Sequence, residues 1–179
     1  MTDQDVPTER AGQSNAPEGA ARSHTLVILV NDRHGALDRI VGILRRRRAN
    51  IQTLAIGGSE LPDIVRITAV IVDSEVEVTH LMEQIRKVVE VRHIVNLSSE
   101  QAVARELVLI KVASAAAREI IELAHLFGAQ VVDVAPETIT LEVTGNQEKV
   151  EKLVGLLQGY GIREIARTGS VAMERGNVS

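Results

Sequence analysis

The chain has 179 residues, no cysteine and a formal net charge of −4 at pH 7. This length suits one or two compact domains, and the lack of cysteine excludes disulfides and cysteine-ligated metals and fits a cytoplasmic protein. The negative charge offers no global attraction for nucleic acid, and no apolar run reaches the ~20 residues that a membrane helix needs. Residues 1–23 are mostly small and polar, so we expect a disordered tail there.

The first repeat, residues 24–98, has the order strand, helix, strand, strand, helix, strand. Predicted strands cover 25–31, 50–57, 63–72 and 91–97. Helical spacing predicts two apolar stripes, Leu37, Ile40, Val41 and Leu44 in helix one and Leu81, Ile85, Val88 and Val89 in helix two. Ser74 and Glu77 match a capping box at the start of helix two, and the Gly57–Pro62 segment predicts a hairpin turn.

The second repeat, residues 99–175, shows the same order. Predicted strands cover 106–112, 130–132, 138–143 and 161–167. Predicted helix stripes are Ala117, Ile120, Ile121 and Ala124, then Val150, Leu153, Val154 and Leu157. Ser114 is the predicted cap of the first of these helices, and a capping box from Thr144 to Gln147 precedes the second.

Two βαββαβ units predict an α+β fold of two tandem ferredoxin-like domains. Each would have two helices on one face of a four-stranded antiparallel sheet. Because strand 63–72 is apolar on both sides, we expect the open face to pack against the other repeat or a second subunit.

The turn at Asn31–Gly35, between the first strand and helix one, is the main candidate for a binding site. The free N–H groups and positive dipole of a helix start suit a carboxylate, and Asp32 can face an ammonium group. One loop could therefore hold both ends of an amino acid, which indicates a sensor rather than a catalyst. Asn50, at the start of the second strand, is a second candidate. A tight turn relieved by Gly35 and an ordinary turn residue at Asn50 are the structural alternatives.

Other polar patterns give weaker indications. The run Arg45–Arg48 is either a solvated helix end favoured by the helix dipole or a docking patch for an acidic partner. The five histidines are scattered without metal-ligand spacing. Phosphate-binding glycine fingerprints and a nucleophile elbow are absent from the sequence. We therefore predict no catalytic and no metal-binding residue on this chain.

Several motifs, in order over residues 24–175, resemble the small regulatory subunit of acetolactate synthase, whose first half is an ACT domain. They are LVILVNDRHGALDRIVGIL from Leu26, the Arg48–Ile51 approach to the second strand, Arg105–Lys111, Val131–Val134 and Ile165–Val171. The resemblance identifies residues 24–98 as an effector-binding ACT domain and residues 99–175 as an ACT-like regulatory domain. Position 32, which is Asp here, is usually Asn in this family.

The resemblance implies a non-catalytic protein that binds and activates the large catalytic subunit of acetolactate synthase in branched-chain amino-acid biosynthesis. It implies feedback inhibition by valine, leucine or isoleucine at an interface of two ACT domains, hence a homodimer or larger assembly. Thiamine diphosphate, Mg²⁺ and FAD would belong to the large subunit alone. Carried onto this sequence, with Asn50 reaching across from a neighbouring subunit, the effector-binding residues are Asp32, Arg33, His34, Gly35, Ala36, Asn50 and Ile51.

Three alternatives remain open at this stage. A stand-alone ACT protein would sense an amino acid for another enzyme. An RNA-recognition motif shares the βαββαβ order, but it needs exposed aromatic residues on its strands, and the predicted strands of the first repeat have none. An acylphosphatase-like enzyme would use Arg33 and Asn50, but Asp32 places a carboxylate where phosphate would bind.

Overall fold

The computed structural model describes residues 20–97 and 101–176, which form two βαββαβ repeats and thus confirm the predicted α+β class. Residues 1–19 of the predicted tail lie outside the described part of the chain. Its predicted end at residue 23 is too late, because the first strand already begins at Arg22, whose guanidinium pairs with Glu75.

The first repeat forms an antiparallel sheet with strand order β2-β3-β1-β4. Its elements are β1 (Arg22–Asn31), α1 (Ala36–Arg46), β2 (Ile51–Gly58), β3 (Ile64–Asp73), α2 (Glu75–Arg86) and β4 (Val91–Leu97). Both helices pack on one face of the sheet, where the fully buried side chains include Leu26, Ile28, Ile40, Leu44, Ile67, Ile71 and Ile85. The Ser74 side chain accepts a hydrogen bond from the Glu77 amide at 3.3 Å, which confirms one half of the predicted capping box. The other half is wrong, because the Ser74 amide donates to the Asp73 carboxylate at 2.8 Å and not to Glu77.

Two parts of the predicted helix stripes are wrong. On α1, Leu37 and Val41 are 41% and 40% exposed, whereas Ala36 and Ile43 are buried. The buried face of α1 is therefore rotated relative to the prediction, and an apolar strip is left on the surface. Val89 is 90% exposed because α2 ends before it and the helical spacing no longer applies.

The second repeat forms a sheet with the order β6-β7-β5-β8. Its elements are β5 (Ala102–Ala113), α3 (Ala117–Leu126), β6 (Gln130–Val134), β7 (Thr138–Gly145), α4 (Gln147–Leu157), β8 (Ile162–Arg167) and β9 (Val171–Glu174). The predicted α4 stripe is confirmed, since Val150, Leu153, Val154 and Leu157 are all buried.

Both predicted caps in the second repeat are wrong. Ser114 begins a short 3-10 turn before α3, and its hydroxyl donates to the Pro136 carbonyl at 2.8 Å instead of capping the helix. The cap of α4 is Asn146, whose side chain accepts from the Lys149 amide at 3.1 Å, and not Thr144. Polar residues at adjacent positions compete for the same capping role, so the choice depends on the backbone path.

A two-stranded ribbon joins the repeats. The first residues of β5, 102–105, pair with β9, residues 171–174, and we call these eight residues the β5–β9 ribbon. The ribbon lies against the open face of the first sheet, where Ala172 packs with Val27 and Leu97. Arg66 donates to the Ala172 carbonyl at 2.8 Å. The ribbon belongs to the second repeat, so this part of the open face packs on the other repeat, which is one of the two predicted partners.

Candidate functional site

The Asn31–Gly35 loop is held from two sides. The Asn31 amide donates to the Glu90 carbonyl and the Asp32 amide donates to the Asp63 carbonyl, both at 2.8 Å. The loop is thus fixed to the segments that enter β4 and β3. Gly35 has a φ of 79°, a left-handed conformation that glycine adopts without a side-chain clash.

The start of α1 exposes polar groups that a ligand can use. No side chain caps this helix. Within the described residues, the amides of Leu37 and Asp38 have no acceptor. Asp32, Arg33 and His34 are all exposed beside them. The loop therefore combines free N–H groups and the positive end of a helix with a carboxylate, which matches the two charges of an amino acid.

Asn50 and Ile51 lie at the other end of the repeat. The Asn50 carbonyl accepts from the Val72 amide at 3.0 Å, whereas Asp32 is bonded to Asp63. Val72 and Asp63 are nine residues apart along extended chain, which corresponds to roughly 30 Å. One chain therefore does not bring the predicted site residues together: Asp32, Arg33, His34, Gly35 and Ala36 lie at one end and Asn50 and Ile51 at the other.

An ion pair beside the loop was missed by sequence reasoning. Glu90 is only 9% exposed, and its carboxylate pairs with the Arg39 guanidinium on α1. The hydrogen bond from Arg39 holds the pKa of the Glu90 carboxyl below its usual value, and the pKa of Arg39 is raised by the same bond. A Cβ on Gly35 would lie 4.0 Å from the Arg39 guanidinium, so the pair borders the loop. No local pattern signals a contact between positions 51 residues apart.

Two further findings bear on the sequence predictions. Across residues 20–97 and 101–176, no group of three His, Asp or Glu side chains is placed to hold a metal ion. The run Arg45–Arg48 is exposed at the end of α1, so the structure is compatible with either interpretation of it.

None of the helices in the described part of the chain is long and apolar enough to span a membrane.

The sequence matches two family models that together cover most of both repeats. Residues 26–93 match the model described as the AHAS small subunit-like ACT domain. Residues 105–176 match the model described as the small subunit of acetolactate synthase. The two matches fall on the first and second βαββαβ units, respectively.

Similar proteins agree with these matches. A probable acetolactate synthase small subunit from Archaeoglobus fulgidus is 40% identical over 155 residues, which is 86% of this chain and 98% of that protein. The acetolactate synthase small subunit of Mycobacterium bovis is 43% identical over 157 residues, 87% of this chain and 94% of the relative. The crystal structure of the small subunit from Thermotoga maritima superimposes with a TM-score of 0.80 at 34% identity, covering 88% of this chain and 99% of that one. This chain belongs to the acetolactate synthase small-subunit family.

Proposed function

We propose that this protein is the regulatory subunit of an acetolactate synthase, which it activates and makes sensitive to a branched-chain amino acid. Its partner is the large catalytic subunit in the cytoplasm, to which we assign the chemistry together with thiamine diphosphate, Mg²⁺ and FAD. The observation that carries the proposal is the uncapped start of α1 in a chain of this family.

The loop supplies each group that a free amino acid needs. The effector carboxylate would accept from the amides of Leu37 and Asp38, where the helix dipole favours negative charge. Asp32 is exposed and would pair with the ammonium group. Leu37 and Val41, one helical turn apart, give the exposed apolar strip on which a branched side chain would pack.

The site requires two chains. Asn50 lies roughly 30 Å along the repeat from Asp32 in its own chain, so it can complete the site only from a second copy. A homodimer that places the Asn50 end of one first repeat beside the loop of the other would give two equivalent sites. The exposed Ile51 would join that interface.

The proposal is tested by titrating valine, leucine and isoleucine calorimetrically into the parent protein and Asn50→Ala. Loss of a hydrogen-bond partner of a desolvated ligand costs about 1–3 kcal/mol, so affinity should fall on the order of five- to a hundred-fold. The matched control is Gln130→Ala, which removes an exposed amide at the corresponding position after α3.

Each outcome has a defined meaning for the proposed function. Amino-acid binding that is weakened to this extent in Asn50→Ala and kept in Gln130→Ala, with the purified large subunit activated by the parent, supports the proposal. Binding without activation of the large subunit would indicate the stand-alone sensor. Absence of binding by all three amino acids in the parent protein would contradict the effector site.

A further inference from the structure

An open cleft of about 640 Å³ lies between the two repeats, on the side of the first sheet that its helices do not cover. Thr25, Thr53 and Val70 of the first sheet form one wall. The β5–β9 ribbon and the start of α4 form the others. Thr25 is six residues along β1 from Asn31, roughly 20 Å, so this cleft is separate from the loop before α1.

One side of the cleft carries unbalanced negative charge. Glu106 is 5% exposed, and its Oε1 atom is buried without a hydrogen-bond partner in the described part of the chain. The Arg167 Nη1 atom lies 3.7 Å from this oxygen but donates to Glu151 at 2.7 Å. Two carboxylates therefore share one guanidinium, and burial raises the pKa of the Glu106 carboxyl despite Arg167. An unpartnered buried carboxylate oxygen is costly, so a cationic donor bound there would be favoured.

The ribbon side of the cleft carries positive charge. Arg105 donates to the Ala104 carbonyl at 2.7 Å, and Arg175 donates to the Ala102 carbonyl at 3.0 Å. In residues 20–97 and 101–176, neither guanidinium forms an ion pair with a carboxylate. A guanidinium has five N–H donors, so both side chains keep donors that can face an anion.

This pairing of charges selects the class of ligand. A phosphate or a dicarboxylate would be attracted by the two arginines but would meet Glu106 and Glu151. A polyamine would suit the glutamates but would be repelled by the arginines. A molecule that carries one carboxylate and one ammonium satisfies both sides.

We propose that the cleft between the repeats binds a small zwitterion, an α-amino acid, with its carboxylate on Arg105 and Arg175 and its ammonium on Glu106. Thr53 lines the same cleft from the first sheet, and its buried hydroxyl oxygen has no hydrogen-bond partner in the described residues. A ligand here contacts both repeats and the ribbon that joins them. Its binding therefore favours one orientation of the second repeat on the first.

The test uses hydrogen exchange with mass spectrometry on the full-length protein, with each common L-α-amino acid added in turn at millimolar concentration. At least one should slow exchange in peptides that cover residues 101–106 and 146–151. The deaminated and decarboxylated analogues of that amino acid should give no protection, because each satisfies only one side of the cleft.

Variants then assign the protection to the cleft. Arg105→Gln and Glu106→Gln should each lower the affinity for the protecting amino acid by at least about tenfold. This is the change in affinity expected from the loss of one charge-assisted hydrogen bond. Arg105 is exposed, so its variant keeps the test valid even if Glu106→Gln changes the stability of the fold. The matched control is Glu164→Gln, an exposed carboxylate of the second sheet that pairs with Lys111 outside the cleft.

Three results would overturn the proposal. The first is that no amino acid slows exchange in the cleft peptides, and the second is that both cleft variants bind the protecting amino acid with the affinity of the parent. The third is that slowed exchange is confined to residues 31–36 and 50–51. The last result would leave the loop before α1 as the amino-acid site, so the failure of this inference is distinguishable from that of the proposed function.

Discussion

The two repeats have the same order of elements and equivalent sheet orders, yet they differ at the turn that precedes their first helix. In the first repeat this turn ends at left-handed Gly35 and leaves α1 uncapped beside Asp32. In the second repeat the corresponding segment is a 3-10 turn, Ser114–Ala116, without a charged residue. The shared topology fixes where such a turn lies, while its own residues decide which polar groups it offers to a ligand.

The repeats also differ in the groups that surround a buried glutamate. Glu90 of the first repeat receives a hydrogen bond from Arg39, and its pKa is lowered. Glu106 of the second repeat competes with Glu151 for Arg167, and burial raises its pKa. Burial alone therefore does not determine the sign of the shift, which depends on whether a hydrogen-bonding cation reaches the carboxylate.

The largest effect on amino-acid binding is expected from Gly35→Asp. The new carboxylate would stand at the positive end of α1, where the effector carboxylate is expected, so valine binding should be lost in calorimetry. Gly128→Asp is the matched control, because it places the same side chain on a left-handed glycine, with a φ of 58°, after α3 of the second repeat. Equal loss of binding in both variants would show that backbone strain, and not the loop, is responsible.

Arg39→Gln should destabilise the first repeat in a pH-dependent way. The pKa of Glu90 is lower in the folded state than in the unfolded state. Its contribution to folding stability is therefore present above the unfolded-state pKa of about 4.3 and is lost as pH falls through the lower folded-state pKa. The melting temperature of Arg39→Gln should therefore lie below that of the parent at pH 7 and approach it in acid. A deficit that is the same at all pH values would contradict this account of the pair.

Glu106→Gln should change the melting temperature at pH 7 in the opposite direction. Because the folded pKa of Glu106 is raised, its favourable contribution is complete below the unfolded pKa and is lost as pH rises through the folded value. Removal of the charge should therefore raise the melting temperature at pH 7, with little difference from the parent near pH 4. A lower melting temperature at pH 7 would mean that the contact with Arg167 outweighs the cost of burial.

The smallest effect on folding is expected from the pair Arg46→Ser and Arg47→Ser. Both side chains are exposed, so the free energy of unfolding should change by less than about 0.5 kcal/mol. If the run docks on the large subunit, activation should weaken and become more sensitive to salt. The control is Arg163→Ser, an exposed arginine on β8, and parent-like activation in the double variant would identify the run as a solvated helix end.

The predictable parts of the fold are those encoded by local pattern. The strands of the first repeat and the α4 stripe follow from apolar spacing, which acts over a few residues. Leu37 and Val41 fit the same spacing but remain exposed, because periodicity identifies the apolar side of a helix and not how much of that side the rest of the chain covers. The four-residue strand β9 is too short and too exposed to show a pattern.

The polar contacts were beyond sequence reasoning for a different reason. Arg39 pairs with Glu90 across 51 residues, and Arg167 lies near Glu106 only because β8 returns beside β5. Such contacts depend on the completed sheet. The loop of the candidate site was predictable because a strand, a polar turn and a helix start are contiguous in the chain.

The proposed two-chain effector site is tested most directly by mixing two defective chains. Gly35→Asp lacks a usable loop but keeps Asn50, and Asn50→Ala keeps the loop. In a mixed dimer, the loop of one chain meets the Asn50 of the other at one intact site. We predict that co-expressed chains, purified as the mixed species, bind valine with parental affinity at about one site per two chains. If the mixed species binds no better than Asn50→Ala alone, the loop and Asn50 do not form a shared site.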